Sequence, residues 1–203
     1  MRELTVGSVA LMVCAGVLLN STHVNAEPVQ WSGNGHWYEA VSVPGGISWT
    51  DANSAAIGMG GYLASITSAD ENTFVYSLVD DDTYWKQEVY DHYNGPWLGG
   101  IQTTGSPEPA DNWQWVDAEP FVYTNWNSGL PNNGAFGENG EDSIHFMGWG
   151  SEREPMWNDA PHEDTQIVGY VVESVPEPST LFLLSTGAIG LLAYVWRRRK
   201  RTA

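Results

Sequence analysis

The chain has 203 residues with 25 acidic and 8 basic side chains, and its formal net charge is −17. Six of the basic residues lie at the two ends of the chain. The stretch from Glu27 to Pro178 therefore contains two basic residues and 24 carboxylates. Such a surface repels phosphate backbones and anionic headgroups and attracts divalent cations, which excludes nucleic-acid binding. A stretch of about 150 residues can bury one hydrophobic core without covalent cross-links.

The first 26 residues have the features of a secretory signal peptide. Arg2 precedes an apolar stretch from Val6 to Leu19, and Val24-Asn25-Ala26 supplies the residues of a cleavage site. This pattern predicts export, with cleavage after Ala26. The single cysteine, Cys14, lies inside the signal segment, so the mature chain is predicted to contain no disulfide.

Two helices are predicted from their capping patterns. Ser48 and Ser68 each stand three residues before a carboxylate, the reciprocal pattern that opens a helix. The first helix is predicted to run to about Ile57, where glycines follow, and the second to end near the acidic run at 80–82. The second helix should bury one apolar face, formed by Phe74, Val75, Leu78 and Val79.

Six strands are predicted from alternating apolar and aromatic residues, at 36–42, 62–66, 97–101, 113–116, 143–147 and 167–173. The stretch from Ile101 to Pro161 differs from the rest, because Gly, Pro, Asn and Asp separate short aromatic segments. Loops this long in a compact domain are usually functional, so we expect the binding site there.

Seven short motifs from about His36 to Glu173 together resemble the C-type lectin-like domain. In chain order they are Trp49 with Ala52, Ala55 and Ala56; 61–66 (GYLASI) with Glu71 and Phe74; 97–100 (WLGG); 113–117 (WQWVD) with 123–126 (YTNW); 129–133 (GLPNN); 140–142 (GED) with 157–159 (WND); and 170–173 (YVVE). The resemblance implies an α+β fold over residues 27–174, in which two helices flank small antiparallel sheets and a long loop region carries the site.

The resemblance also implies a calcium site that completes its coordination with the vicinal hydroxyls of a sugar. Matched residue by residue, the implied calcium and sugar ligands are Asn132, Glu141, Asn158 and Asp159. Calcium takes six to eight hard oxygen ligands, and this set supplies about five when one backbone carbonyl is counted. A cis peptide bond is expected before Pro131, as in sugar-binding members of the family.

The sequence departs from the family at two points. Leu130 stands where the family motif has a glutamate, which removes one anionic ligand, so we expect calcium binding to be weak or absent. Glu138 and Asp142 are candidate substitute ligands. The second departure is the lack of disulfides, so tryptophan packing is expected to hold the long loop.

Other interpretations of the same residues remain open at this stage. Asn158 and Asp159 could satisfy the backbone of a turn, and Glu141 and Asp142 could be solvated loop acids. The histidines at 36, 92, 145 and 162 show no metal-ligand spacing and are expected to be structural or exposed. The tryptophans at 113, 115 and 126 could stack on sugar rings but more often belong to a core.

Three functions are compatible with the sequence. The favoured hypothesis is an exported module that binds carbohydrate, such as an exopolysaccharide. The alternative is a protein-binding or structural matrix module that has lost sugar binding, which Leu130 favours. A third hypothesis, a glycan hydrolase, lacks any nucleophile, metal triad or cofactor motif.

The C-terminal residues 175–203 combine a Val175-Pro176-Glu177-Pro178 motif, 17 uncharged residues from Thr180 to Trp196, and a basic run at 197–201. The apolar segment would form a helix of about 26 Å, enough to cross a hydrocarbon core, with the basic run on the cytoplasmic side. This order resembles the PEP-CTERM sorting signal of Gram-negative bacteria. It implies a single-pass inner-membrane precursor, cleavage by an exosortase and a mature form outside the cell, whereas a permanent C-terminal anchor is the alternative.

Overall fold

The structure is a computed structural model that describes residues 24–176, apart from positions 89–91, 104, 106, 108, 135–139 and 151. Within this part of the chain the helices are α1 (Trp49–Gly58) and α2 (Ala69–Val79). The strands are β1 (Val24–Asn25), β2 (Val29–Gln30), β3 (Trp37–Ser42), β4 (Tyr62–Leu63), β5 (Lys86–Gln87), β6 (His92–Gln102), β7 (Trp113–Trp115), β8 (Ser143–Trp149), β9 (Met156–Ala160) and β10 (Gly169–Ser174).

Both helices begin at the serines that the sequence indicates. Ser48 Oγ accepts a hydrogen bond from the Asp51 amide at 3.1 Å, and Ser68 Oγ accepts one from the Glu71 amide at 3.2 Å. The Glu71 carboxylate, however, accepts from the backbone amide of Thr67 at 2.7 Å, one residue before the cap. On α2 the predicted face packs inward, with Val75 and Val79 fully buried and the other two residues partly buried.

The strands form one sheet in the order β1-β3-β10-β6-β8-β9, with the shorter strands attached to β3, β10 and β6. Every pairing is antiparallel except that of β10 with β6, where Tyr170 lies opposite Trp97. The predicted α+β architecture with two helices is therefore confirmed. The sequence predicted separate small sheets, whereas the parallel pairing of β10 with β6 joins the strands into one sheet.

The observed strands depart from the prediction at β4 and at β9. β4 ends at Leu63 because Ala64 leaves the strand and bridges the sheet, its amide donating to Val171 O and its carbonyl accepting from Gly99 N. That close approach also explains the glycine at 99, since a Cβ there would collide with the Leu63 carbonyl. β9 was not predicted, because Asn and Asp are depleted in strands.

Hydrophobic residues fill both faces of the sheet. One cluster packs α2 against the aromatic loop residues, with Tyr38, Leu98, Phe146 and Trp157 at its centre. The other packs α1 against Leu63, Trp97, Ile167 and Val172. The long loop thus lies between a buried aromatic core and the sheet edge at β9.

The chain ends bear on the export predictions. β1 contains the last residues of the predicted signal segment and pairs with Val41 and Ser42, so cleavage after Ala26 would remove this edge strand. Among the described residues, no helix combines the length and apolarity needed to cross a membrane. The predicted membrane helix at 180–196 lies outside the described residues.

Candidate functional site

The loop from 129 to 134 carries the Pro-centred motif. The peptide bond between Leu130 and Pro131 is cis, as the sequence predicts. The Leu130 amide donates to Asn127 O at 3.0 Å, and the Leu130 side chain is half-buried, whereas Asn132 is exposed. The loop therefore offers the Asn132 side chain to solvent while Leu130 is partly held against the protein.

Asp159 fixes this loop to strand β9. Its side chain is completely buried, and its Oδ2 accepts from the backbone amides of Asn132 at 2.9 Å and Asn133 at 2.7 Å. Its other oxygen, Oδ1, is enclosed without a hydrogen-bond partner among the described residues. Burial raises the pKa of the Asp159 carboxyl, while the two amide bonds oppose that rise.

Glu141 closes the same loop from its other end. The Glu141 amide donates to Asn133 Oδ1 at 2.7 Å, and Oε2 of Glu141 accepts from the Gly134 amide at 2.5 Å. Burial is the main reason why the pKa of Glu141 rises to about 6, and the negative charges of Asp159 and Asp164 add to it. The carboxylates of Glu141 and Asp159 thus repel each other, and a cation between or beside them would stabilise the loop.

Asn158 faces a different neighbour. Its Nδ2 lies 3.0 Å from Nε2 of His145, the residue directly opposite on β8. His145 Nδ1 lies 2.7 Å from the Phe146 carbonyl, which only accepts, so Nδ1 carries the proton and Nε2 accepts from Asn158. Burial lowers the pKa of His145 to about 4, which keeps the imidazole neutral in this role. The Asn158 amide oxygen is therefore left available to a ligand.

The structure places the implied calcium ligands as follows. Asn132, Glu141 and Asp159 meet through the loop at 132–134, whereas Asn158, next to Asp159 on a strand, points to the opposite face. Glu138 lies outside the described residues. In the part of the chain that is described, no three acidic, histidine or cysteine side chains form a metal-binding cluster. The enclosed Asp159 Oδ1 still fits a hard cation, since it is an acceptor without a donor.

The other candidate residues have structural partners. Both carboxylate oxygens of Asp142 lie 2.9 Å from Nδ1 of His162, so this side chain holds the loop after β9. His36 Nδ1 contacts Glu173 Oε1 at 2.6 Å. Trp113 and Trp115 are buried in the core, and Trp126 packs partly buried against Trp157. Two tryptophans that the sequence did not single out, Trp37 and Trp149, are 39% and 49% exposed.

A cleft of about 630 Å³ opens beside these residues. It is lined by Glu141, His145 and Asn158, by His92 and Asn94 from β6, and by the segment 160–166. Sequence reasoning missed it because the strands that form it come together only through long-range pairing. It brings two of the implied ligands, Glu141 and Asn158, to one accessible surface.

Comparisons with known proteins show which families this sequence matches. The Lectin C-type domain family matches residues 46–166, and the PEP-CTERM protein-sorting motif matches residues 174–200. The perlucin-like protein of Mytilus galloprovincialis is 33% identical over 129 residues, which are 63% of this chain and 70% of that protein. Ladderlectin of Oncorhynchus mykiss is 30% identical over 112 residues, covering 55% of this chain and half of that protein.

Solved structures show the same fold. The carbohydrate-recognition domain of the mouse scavenger receptor C-type lectin superposes with a TM-score of 0.53 at 20% identity, over 74% of this chain and 96% of that one. A Ca²⁺-dependent type II antifreeze protein in its Ca²⁺-free form gives 0.53 at 22% identity, over 73% and 97%. A calcium-independent type II antifreeze protein gives 0.50 at 17% identity, over 74% and 97%. The fold thus occurs in proteins with and without calcium dependence.

Proposed function

The chain belongs to the C-type lectin domain family, and we propose that it is an exported protein that binds carbohydrate at the cell surface or in the extracellular matrix. The family consists in general of binding modules without catalytic activity. The exopolysaccharide of the producing cell is the ligand class that we favour. The acidic surface disfavours a nucleic-acid partner.

One observation supports this function most strongly. Asp159, Glu141 and the loop at 132–134 form one hydrogen-bonded unit, in which a buried carboxylate keeps one oxygen without a donor. A protein does not usually enclose an acceptor in this way unless a ligand, ion or water satisfies it. The same residues are the positions at which the family resemblance implies calcium and sugar binding.

We propose that calcium binds this unit weakly. Glu141, Asp159 and the exposed Asn132 would hold the ion, which when bound would supply coordination positions for sugar hydroxyls. Two carboxylates are few for a tight site, and the position of the missing third is occupied by Leu130. Asp159 Oδ2 already accepts two backbone amides, so one of its oxygens is committed to the loop.

A glycan array probed with protein purified from the producing cell tests this function. We expect binding to one or more neutral or amine-bearing glycans, reduced but not abolished by chelation of calcium. Asp159→Asn should remove the chelator-sensitive part and leave the fold intact. Absence of binding to every glycan, by a protein that melts cooperatively, would contradict the proposal.

The alternative of a protein-binding or structural matrix module is supported by Leu130 alone. Its half-buried side chain supports this alternative, because the position is partly packed against the protein. If the array stays silent, affinity purification of extracellular matrix proteins with this chain becomes the next experiment.

We also propose that the C-terminal motif directs export and cleavage by an exosortase. The match of residues 174–200 to the sorting motif supports this route. Export would place the acidic domain outside the cell, where calcium is available at millimolar concentrations that suit a weak site.

A further inference from the structure

The loop at 132–134 contains the dipeptide Asn133-Gly134, one of four Asn-Gly pairs in the chain; the others are at 34–35, 94–95 and 139–140. An asparagine followed by glycine is open to deamidation, because glycine gives its backbone nitrogen the freedom to approach the side-chain amide carbon of the asparagine. The pair at 133–134 lies outside every helix and strand, and Asn133 is only half-buried, so water reaches it. The contacts around each pair decide which of them reacts.

One residue contacts both groups that would react. Oε2 of Glu141 accepts a hydrogen bond from the Gly134 amide at 2.5 Å, and the Glu141 amide donates to Asn133 Oδ1 at 2.7 Å. A carboxylate on the N–H of an attacking nitrogen is placed to take its proton. A donor on the carbonyl oxygen is placed to stabilise the negative charge that develops there. Glu141 therefore offers a base and an oxyanion donor to the same reaction.

The reacting residue is held from its other side by Asp159. The Asn133 backbone amide donates to Asp159 Oδ2 at 2.7 Å, and that side chain is completely buried on β9. Asn133 has a φ of 46°, a left-handed conformation that asparagine adopts more readily than most residues. Asn133 is thus held at its amide and at its side chain, and Gly134 at its amide, which limits the conformations that the two groups must search.

The glycine at 134 is required by the contact with Glu141. A Cβ at position 134 would lie 2.7 Å from Oε2 and 2.8 Å from Oε1 of Glu141. Any larger residue would therefore push the carboxylate away from the backbone amide. Gly140 makes room in the same way for the asparagine, since a Cβ there would lie 3.0 Å from Asn133 Oδ1. The sequence of the loop thus permits the approach of base, nucleophile and carbonyl.

The other described Asn-Gly pairs have different surroundings. The Gly35 amide donates to the carbonyl oxygen of Trp31 at 2.8 Å, and a carbonyl does not take up a proton near neutral pH. Asn94 lies within β6 between Lys86 and Met147, so closing a ring there would disturb the pairing of three strands. The pair at 139–140 begins outside the described residues. The asparagines at 34 and 94 therefore serve as internal references for Asn133.

We propose that the pair Asn133-Gly134 is a self-modification site, at which Asn133 is converted to aspartate or isoaspartate with Glu141 as the catalytic base. The Gly134 nitrogen attacks Cγ of Asn133 while its proton passes to Oε2 of Glu141. The Cγ–Nδ2 bond then breaks, and the side-chain nitrogen takes that proton and leaves as ammonia. Water opens the resulting cyclic imide, which leaves a new carboxylate at position 133 on a backbone of normal or lengthened form.

The modification would change the charge of the candidate site. A carboxylate at 133 is a third acidic group in the unit formed by Glu141, Asp159 and the loop. Calcium prefers carboxylate oxygens, so the modified protein should bind calcium more tightly than freshly made protein. This consequence rests on the calcium site proposed above, whereas the modification itself does not.

Peptide mapping by mass spectrometry tests the reaction at each asparagine separately. The exported protein is incubated at neutral pH with excess chelator, once folded and once unfolded in urea. In the folded protein we expect conversion of Asn133 to be at least about tenfold faster than that of Asn34 or Asn94, a modest effect for a positioned base. In urea the three rates should become similar, because the reacting dipeptide is the same, and Asn133 should react more slowly than it does in the folded protein.

Three variants assign the effect to the contacts of Asn133. Glu141→Gln keeps an acceptor for the Gly134 amide but removes the base, and should slow conversion at least about tenfold. Glu119→Gln makes the same charge change on an exposed loop and should leave the rate unchanged. Asp159→Ala, kept below its melting transition, frees the Asn133 amide. It should slow the reaction, whereas a reaction driven by loop mobility would become faster.

Equal rates at the three asparagines, a slower reaction of Asn133 in the folded protein than in urea, or an unchanged rate in Glu141→Gln would each overturn the proposal. Asn133→Asp imitates the product, and millimolar calcium should raise its Tm by about 3 to 5 °C more than that of the native protein, the shift expected for a tenfold gain in affinity. If Asn133 is converted as described but Asn133→Asp gains no calcium response, the proposed calcium site is contradicted and the self-modification stands.

Discussion

Asp159→Ala gives the most direct test of how the loop is built. Asp159 Oδ2 accepts two backbone amides, at 2.9 and 2.7 Å, and the side chain is fully buried. Each hydrogen bond to a charged group contributes about 1.5 to 3 kcal/mol. Asn132 is exposed, so water replaces part of this loss. We therefore expect the free energy of unfolding to fall by about 2 to 3 kcal/mol.

The assay is urea unfolding with excess chelator, followed by tryptophan fluorescence and checked by thermal melting. A loss of that size corresponds to a fall in Tm of about 5 to 10 °C for a domain of roughly 150 residues. Asp159→Asn keeps an oxygen that can accept both amides and should cost less than about 1 kcal/mol. Asp111→Ala, an exposed loop substitution, serves as the control.

The outcome separates two views of the site. If Asp159→Ala melts within about 1 °C of the native protein, roughly the error of the measurement, the carboxylate does not hold the loop and the proposed arrangement of the site is wrong. If Asp159→Asn is stable but no longer responds to millimolar calcium, the same side chain serves both the loop and the ion.

Four further predictions concern the site, the core and the chain end. Leu130→Glu should create or strengthen chelator-sensitive glycan binding on an array, because it restores a third carboxylate to the loop; a folded variant that stays silent would favour the protein-binding alternative. The pKa of Glu141 is raised to about 6, so without calcium the protonated side chain stabilises the fold at about pH 4 and this contribution is lost as pH rises through 6. Stabilisation by calcium should appear over the same rise in pH. Melting curves of the native protein check both trends, and Glu141→Gln should show neither. Tyr38→Phe should lower the free energy of unfolding by about 1 to 3 kcal/mol in urea, because it removes a hydroxyl that contacts two buried carboxylates; an unchanged midpoint would contradict this. Intact-mass analysis of the exported protein should show a chain that ends near Glu177, and retention of the basic run would mean a permanent anchor instead.

The helices could be predicted because their signals are local. Ser48 and Ser68 cap their helices through residues three positions away, and the glycines after α1 end it within a turn. The strands at 97–101 and 143–147 were predicted in place but too short, since β6 begins at His92 and β8 ends at Trp149. Pairing with a neighbour extends a strand through residues whose own propensity is weak.

The site was predicted only in part, for a related reason. Motif order located Asn132, Glu141 and Asp159, which the structure brings together. Alternation along β9, however, sends Asn158 to the other face, and this could not be predicted because the segment was interpreted as a loop. The cleft depends on the register of β6, β8 and β9, in which His145 lies opposite both Trp97 and Asn158. Where a face of the sheet is buried, register follows from which side chains pack in the core, and for strands far apart in sequence this cannot be seen in either strand alone.

The long loop is held by tryptophan packing, as the lack of disulfides suggested. Trp157 on β9 is fully buried and contacts the rings of Trp115, Phe121, Tyr123 and Trp126. The backbone amides of Trp157 and Asn127 also bond across the two segments, at 2.9 Å each. One side chain thus organises most of the loop that precedes the site.

A hydrogen-bond network joins α2 to the last strand. The Tyr38 hydroxyl on β3 lies 2.5 Å from Glu71 on α2 and 3.0 Å from Glu173 on β10, both buried carboxylates. Thr67 and Ser65 donate backbone amides to the same two acids, and His36 pairs with Glu173. Burial raises the pKa of Glu173, and these donors counteract that rise. Because the network satisfies its charges with donors from three elements, breaking one link leaves a buried carboxylate short of a partner, so the elements are held together without any covalent bond.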